Sequence, residues 1–148
     1  MRKYAIISVA LALMLSVGSL FSVKEADAAY SPTAVVSIAK KYIGVPYKYG
    51  GTTSSGFDCS GFIYYTHKRV GKILPRTVAQ LYKKGKFVSK SSLRPGDLIF
   101  FSTYKKGPSH VALYLGKQQF IHSASKGVRI DRLSNPYWKK AYIAAKRY

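Results

Sequence analysis

The chain is 148 residues long, carries 25 basic against 5 acidic side chains, and holds a single cysteine, Cys59. One cysteine excludes an intramolecular disulfide, and this length, once a leader is set aside, suits one domain around one core. The charge excess predicts attraction to polyanions and repulsion between copies, and says nothing of fold.

Arg2 and Lys3 precede an apolar run from Ala5 to Val23, and Ala26-Asp27-Ala28 follows as a small-x-small cleavage site. This is the pattern of a secretory signal peptide over residues 1–28. A retained membrane anchor is the rival reading, since the run approaches bilayer-spanning length; Ser16, Gly18, Ser19 and Ser22 dilute it. No cysteine stands near the site to carry a lipid. The expected mature chain, residues 29–148, keeps 22 basic and 3 acidic residues, because Arg2, Lys3, Lys24, Glu25 and Asp27 are lost, for a formal charge of +19. For an exported protein the polyanions at hand are wall teichoic acids, peptidoglycan carboxylates and anionic lipid. Export argues against nucleic acid and limits membrane contact to the passage itself.

Ser31-Pro32 predicts a helix start, with serine as cap and proline in the first turn. Val35, Ile38, Ala39, Tyr42 and Ile43 form its apolar stripe, and Gly44 ends it. Residues 45–57 are rich in Gly, Ser, Thr and Pro and read as a loop. Asp58 caps a second helix from Cys59 to Arg69, stopped by Gly71. A shorter helix follows Thr77 and ends at Gly85. The period then changes: Leu98–Phe101, His110–Leu115, Gln119–Ser123, Val128–Ile130 and Tyr142–Lys146 read as strands between Gly, Pro, Lys and Asn punctuation. Helices first and an antiparallel sheet second is an α+β arrangement.

Cys59 falls in the first turn of the second helix, where free backbone N–H groups and the helix dipole favour a thiolate; the position predicts a lowered thiol pKa, with Asp58 opposing slightly. Ser60 and Gly61 are small and leave room for a substrate backbone. A buried structural cysteine is the alternative, and position alone does not decide between the two. Of the three histidines, His67 lies two turns along the same helix. A hairpin centred on Gly116 pairs residues whose numbers sum to 232 and sets His110 opposite His122 on one face, provided the turn is of odd length. A thiol at a helix start beside a sheet-borne imidazole is Cys–His nucleophilic chemistry, with His110 as base and His122 orienting it. One cysteine and two histidines fall short of the four ligands of a structural zinc site, so neither metal nor cofactor is expected.

Asp58-Cys59-Ser60-Gly61-Phe62, Leu74-Pro75-Arg76-Thr77, Arg94-Pro95-Gly96-Asp97-Leu98, Ser109-His110-Val111-Ala112 and Phe120-Ile121-His122-Ser123 occur in this order across nearly all of the mature chain. Together they resemble the NlpC-type cell-wall cysteine peptidases. The resemblance implies a papain-like α+β domain over residues 29–148 that hydrolyses peptidoglycan peptides at the bond from γ-D-glutamate to the following diamino residue. It implies Cys59 as nucleophile, His110 as base and His122 as third member, with Tyr47 near the reacting carbonyl and Asp58 and Ser60 at substrate-binding positions. Arg76 pairs either with a substrate carboxylate or with an acid of the chain itself. Asp97 is expected as a turn residue. Many relatives carry wall-binding repeats that this sequence does not show, and the +19 charge is the expected substitute. A related amidase or acyltransferase, and a non-catalytic cationic wall-binding protein, are the competing readings.

Overall fold

The computed structural model describes residues 30–148; the expected signal peptide lies outside the described residues. Ser31 caps α1 (Pro32–Lys40), its hydroxyl accepting from the Ala34 N–H at 3.0 Å. The helix stops earlier than its apolar stripe suggested. Val35 and Ala39 are buried, whereas Ile43, past the break, is exposed. Gly44 takes a φ of +93° and turns the chain.

The segment read as a plain loop contains a small hairpin, β1 (Thr52–Thr53) with β2 (Gly56–Phe57). Asp58 then caps α2 (Cys59–Lys68) through the Gly61 N–H at 2.6 Å. A Cβ on Gly61 would collide with the carbonyl of Gly51. The start of α2 therefore seats directly on the 45–57 segment. Thr77 and Gln80 form a reciprocal capping box at α3 (Val78–Lys84).

A six-stranded sheet, antiparallel at every pairing, has the order β3 (Lys86–Val88), β8 (Tyr142–Arg147), β4 (Leu98–Phe101), β5 (His110–Gly116), β6 (Gln119–Ala124), β7 (Gly127–Arg132). β3 was not expected. With only three residues and an exposed Phe87 it has no readable period, and it exists by pairing with β8 at the sheet edge. Nor was α4 (Pro136–Ala141) expected, although the Asn135 cap followed by Pro136 is a helix-start signal as well as strand punctuation.

Both faces of β4 are covered, and alternation sorts its side chains. Leu98 and Phe100 join Val111, Leu113 and Ile121 under α1, α2 and α3. Ile99 and Phe101 join Ala112, Tyr114, Phe120, Leu133 and Ala141 on the other face. Burying each of the two phenylalanines contributes about 1.5–3 kcal/mol, so the centre of the sheet is a rigid base for the groups at its rim.

The β5–β6 hairpin differs from expectation in an instructive way. Gly116 pairs with Gln119 across Lys117-Gln118, a two-residue turn with φ of 51° and 64°. Continued flush, that even turn would send His110 and His122 to opposite faces. The register shifts between Tyr114 and Gly116, however, so that Tyr114 meets Phe120 and Leu113 meets Ile121. The bulge restores the parity. The numbers sum to 234 rather than 232, which makes the two histidines diagonal neighbours instead of a directly facing pair.

Candidate active site

Cys59 opens α2 and His110 opens β5, and both line a groove of about 810 Å³ with Tyr47, Asp58, Ser60 and Arg76. That volume suits a peptide-sized ligand. Backbone N–H groups of Val111, Ser60 and Cys59 itself favour the thiolate, as expected of a helix start. The net direction is nonetheless opposite to that expectation. Burial pushes the thiol up, Asp58 adds to the rise, and the backbone groups do not overcome them.

The sheet positions the imidazoles. His110 Nε2 lies 2.7 Å from His122 Nδ1, and His122 is fully buried. Burial, then the neighbouring His122, lowers His110 to about 3, with Asp131 opposing. His122 is also lowered, by burial first, against the pull of Asp131. Trp138 of α4 packs on both rings, with centroids 5.5 Å from His110 and 5.0 Å from His122. Phe120 adds a contact to His122 at 5.0 Å. These rings hold the imidazoles in place by packing alone.

Behind His122 stands Asp131, which is not among the site residues expected from sequence. His122 Nε2 is 2.8 Å from Asp131 Oδ2, and Arg129 Nη2 donates to Asp131 Oδ1 at 2.6 Å. Burial pulls this carboxyl up, but Arg129 and His122 outweigh it and hold it below the usual carboxylate range. The sequence carries one signal for it: Asp131 is one of only three acids expected in the mature chain.

Asp58, Ser60 and Arg76 form one connected cluster at the groove wall. Arg76 Nη2 meets Asp58 Oδ2 at 2.7 Å and its Nη1 donates to Ser60 Oγ at 2.8 Å. Asp58 also accepts from the N–H groups of Gly50 at 3.0 Å and Gly61 at 2.6 Å and from the Ser60 hydroxyl at 3.5 Å. Of the two partners considered for Arg76, the chain's own acid is the one engaged here. Tyr47 is partly exposed beside Cys59, its backbone bridged to Phe57. Burial, then the adjacent thiol and Asp58, raise its phenol. Asp97 is a turn residue as expected, accepting from the Arg94 N–H at 2.8 Å, and it also takes a two-pronged contact from Arg147. His67 stays out of the groove, buried with Nδ1 2.8 Å from the Ile63 carbonyl. Chemically, the groove offers a thiol, an imidazole whose far nitrogen is engaged, and backbone donors at a helix start: the parts of acyl transfer.

The profile of the NlpC/P60 family matches residues 44–147. The chain belongs to the NlpC/P60 family. It is 47% identical over 114 residues to the probable peptidoglycan endopeptidase LytE of Bacillus subtilis strain 168, covering 77% of this chain and 34% of that protein. With the gamma-DL-glutamyl hydrolase of the same organism it shares 44% identity over 127 residues, covering 83% of this chain and 31% of the relative. The crystal structure of an NlpC/P60 family protein from Bacillus cereus ATCC 10987 superposes with a TM-score of 0.76 at 36% identity, over 81% of this chain and 41% of that one. This NlpC/P60 chain thus spans about a third of the length of these two curated relatives, and its papain-like α+β domain is that of the family.

Proposed function

We propose that this protein is a peptidoglycan hydrolase, a cysteine endopeptidase that cuts stem peptides at the bond between γ-D-glutamate and the diamino residue. The observation that carries the reading is the meeting of Cys59 and His110 in one open groove, with His122 bonded behind. The name of the LytE relative supports peptidoglycan as the substrate, and that of the gamma-DL-glutamyl hydrolase relative supports a γ-glutamyl bond.

His110 Nε2 is taken by His122, so Nδ1 is the nitrogen left for the thiol. In the first step the Cys59 proton passes to His110 Nδ1 as sulfur attacks the carbonyl carbon. The oxyanion is held by the Cys59 backbone N–H and the Tyr47 hydroxyl; loss of one such donor typically costs on the order of 100-fold in rate. The C–N bond breaks as His110 returns the proton to the leaving amine, leaving a thioester. Water, deprotonated by the same nitrogen, then releases the acid and restores the thiol. Asp58, Ser60 and Arg76 form the substrate-binding wall. Because Arg76 already pairs with Asp58, this wall suits neutral or acidic stem groups better than a free ammonium.

Export through the leader at residues 1–28 and action at the cell wall complete the reading. The +19 charge of the remaining chain would hold the enzyme on anionic wall polymers. Such attraction is screened beyond about 8–10 Å at physiological salt, so wall binding should weaken as salt rises, and binding unchanged in high salt rejects this part. Mass spectrometry of fragments released from purified peptidoglycan tests the activity. New amino termini at the diamino residue are expected. Cleavage at the lactyl amide would point to the amidase, and no release by a folded protein would favour the wall-binding reading.

A further inference from the structure

We propose that Asp131 is a positioning residue: clamped by Arg129, it sets the direction of the hydrogen bonds through both histidines and so keeps the lone pair of His110 Nδ1 available to the thiol.

Proton counting fixes the direction of both hydrogen bonds. An ionised carboxylate only accepts, so His122 Nε2, 2.8 Å from Asp131 Oδ2, must donate. A neutral imidazole carries one N–H, which leaves His122 Nδ1 as an acceptor. His110 Nε2, 2.7 Å away, therefore donates to it. The one proton of neutral His110 is then on Nε2, and Nδ1 is bare. Run backwards, the chain would need a donor at position 131 and would place the His110 proton on the nitrogen meant to receive the thiol's. One acid thus fixes two tautomers.

Strand register makes this possible. β6 and β7 pair His122 with Arg129 and Phe120 with Asp131, so Asp131 reaches His122 diagonally from its own strand face. Arg129 takes the second oxygen at 2.6 Å, which keeps the carboxylate ionised and turned inward. Asp131 and Arg129 on β7 are the charged groups that act on the pair, Cys59 and Asp58 at the start of α2 share the groove with His110, and α4 adds Tyr137 to that groove and packs the neutral indole of Trp138 on both rings. When His110 takes up the thiol proton, the Asp131 charge lies across one neutral ring from it and stabilises the imidazolium. No proton moves to Asp131 at any point.

The first test is the wild-type protein labelled with ¹⁵N at histidine. Two-bond ¹⁵N–¹H correlations at pH 7 should show both His110 and His122 protonated on Nε2 with bare Nδ1. The opposite tautomer at His110 overturns the proposal, whether or not the protein is a peptidase. The second is Asp131→Asn, checked for folding by its melting transition. Its His110 should become a tautomer mixture, and kcat on a purified muropeptide should fall roughly 10- to 100-fold with KM little changed, less than the ~10⁴ lost when the acid next to a catalytic histidine is neutralised. Asp131→Glu should recover part of the loss and part of the Nε2–H signature. A folded Asp131→Asn protein with unchanged tautomers and unchanged kcat refutes the role. The kinetic arm rests on the peptidase reading, whereas the spectroscopic arm does not, so the two failures can be told apart.

Discussion

Burial penalises charge on Cys59 and on His110 alike: the thiol is pushed up and the imidazole is lowered to about 3. A preformed thiolate–imidazolium pair requires the reverse order of affinities. In the proposed mechanism the resting pair is accordingly uncharged near neutral pH, and proton transfer accompanies attack on substrate. Alkylation of free enzyme by iodoacetamide should accordingly accelerate with pH beyond pH 8; a plateau beginning near pH 5 would reveal a standing ion pair instead. Substitutions separate the roles further. Cys59→Ala should abolish turnover, whereas His122→Ala should leave a trace, because losing orientation costs less than losing the nucleophile; equal residual rates in stem-peptide cleavage would contradict the assignment.

At the scale of elements, the distance between reading and structure is set by which signals are local. The Asp58 cap, the helix start after Thr77 and the proline start of α1 each involve residues within a turn of one another, and all form as expected. The bulge near Leu115 has no such signal. Lys117 and Gln118 adopt positive φ without being Gly, Asn or Asp, so the turn type was hidden, and with it the register. The groove wall was legible in part. Asp58, Ser60 and Arg76 were named, but their mutual bonding depends on the approach of two segments that are distant in sequence. Asp131 was missed for the same reason, since its role exists only once β7 lies beside β6. The strained turn yields a prediction. Replacing Lys117-Gln118 with Asn-Gly should stabilise the fold by about 1 kcal/mol and leave activity intact; a fall in the urea midpoint would mean that these two side chains support the hairpin in some other way.

For the whole molecule, three buried histidines couple folding to acid. His67 is lowered to about 4 and His110 to about 3, and His122 is also lowered, each chiefly by burial. A lowered folded-state pKa means the unfolded chain binds protons that the native state refuses. Stability is thus intact above the ordinary histidine value near pH 6.5 and is lost as pH falls through 6.5 toward 4 and below. Each histidine adds at most about 1.4 kcal/mol per pH unit in that window. Urea midpoints at pH 7.5, 5.5 and 4.5 should fall in that order, and His67→Phe should shallow the decline by up to one proton. Midpoints independent of pH across this range would contradict the burial of all three.

The proposed mechanism requires sulfur to form a covalent bond to the substrate acyl group. Rapid acid quenching of enzyme mixed with a purified muropeptide, followed by intact-protein and peptide mass spectrometry, tests this directly. The expected result is a transient mass increase equal to the acyl fragment, mapped to Cys59 and absent from Cys59→Ala. Cleavage that continues in Cys59→Ala, or an adduct mapped to any other residue, would contradict it.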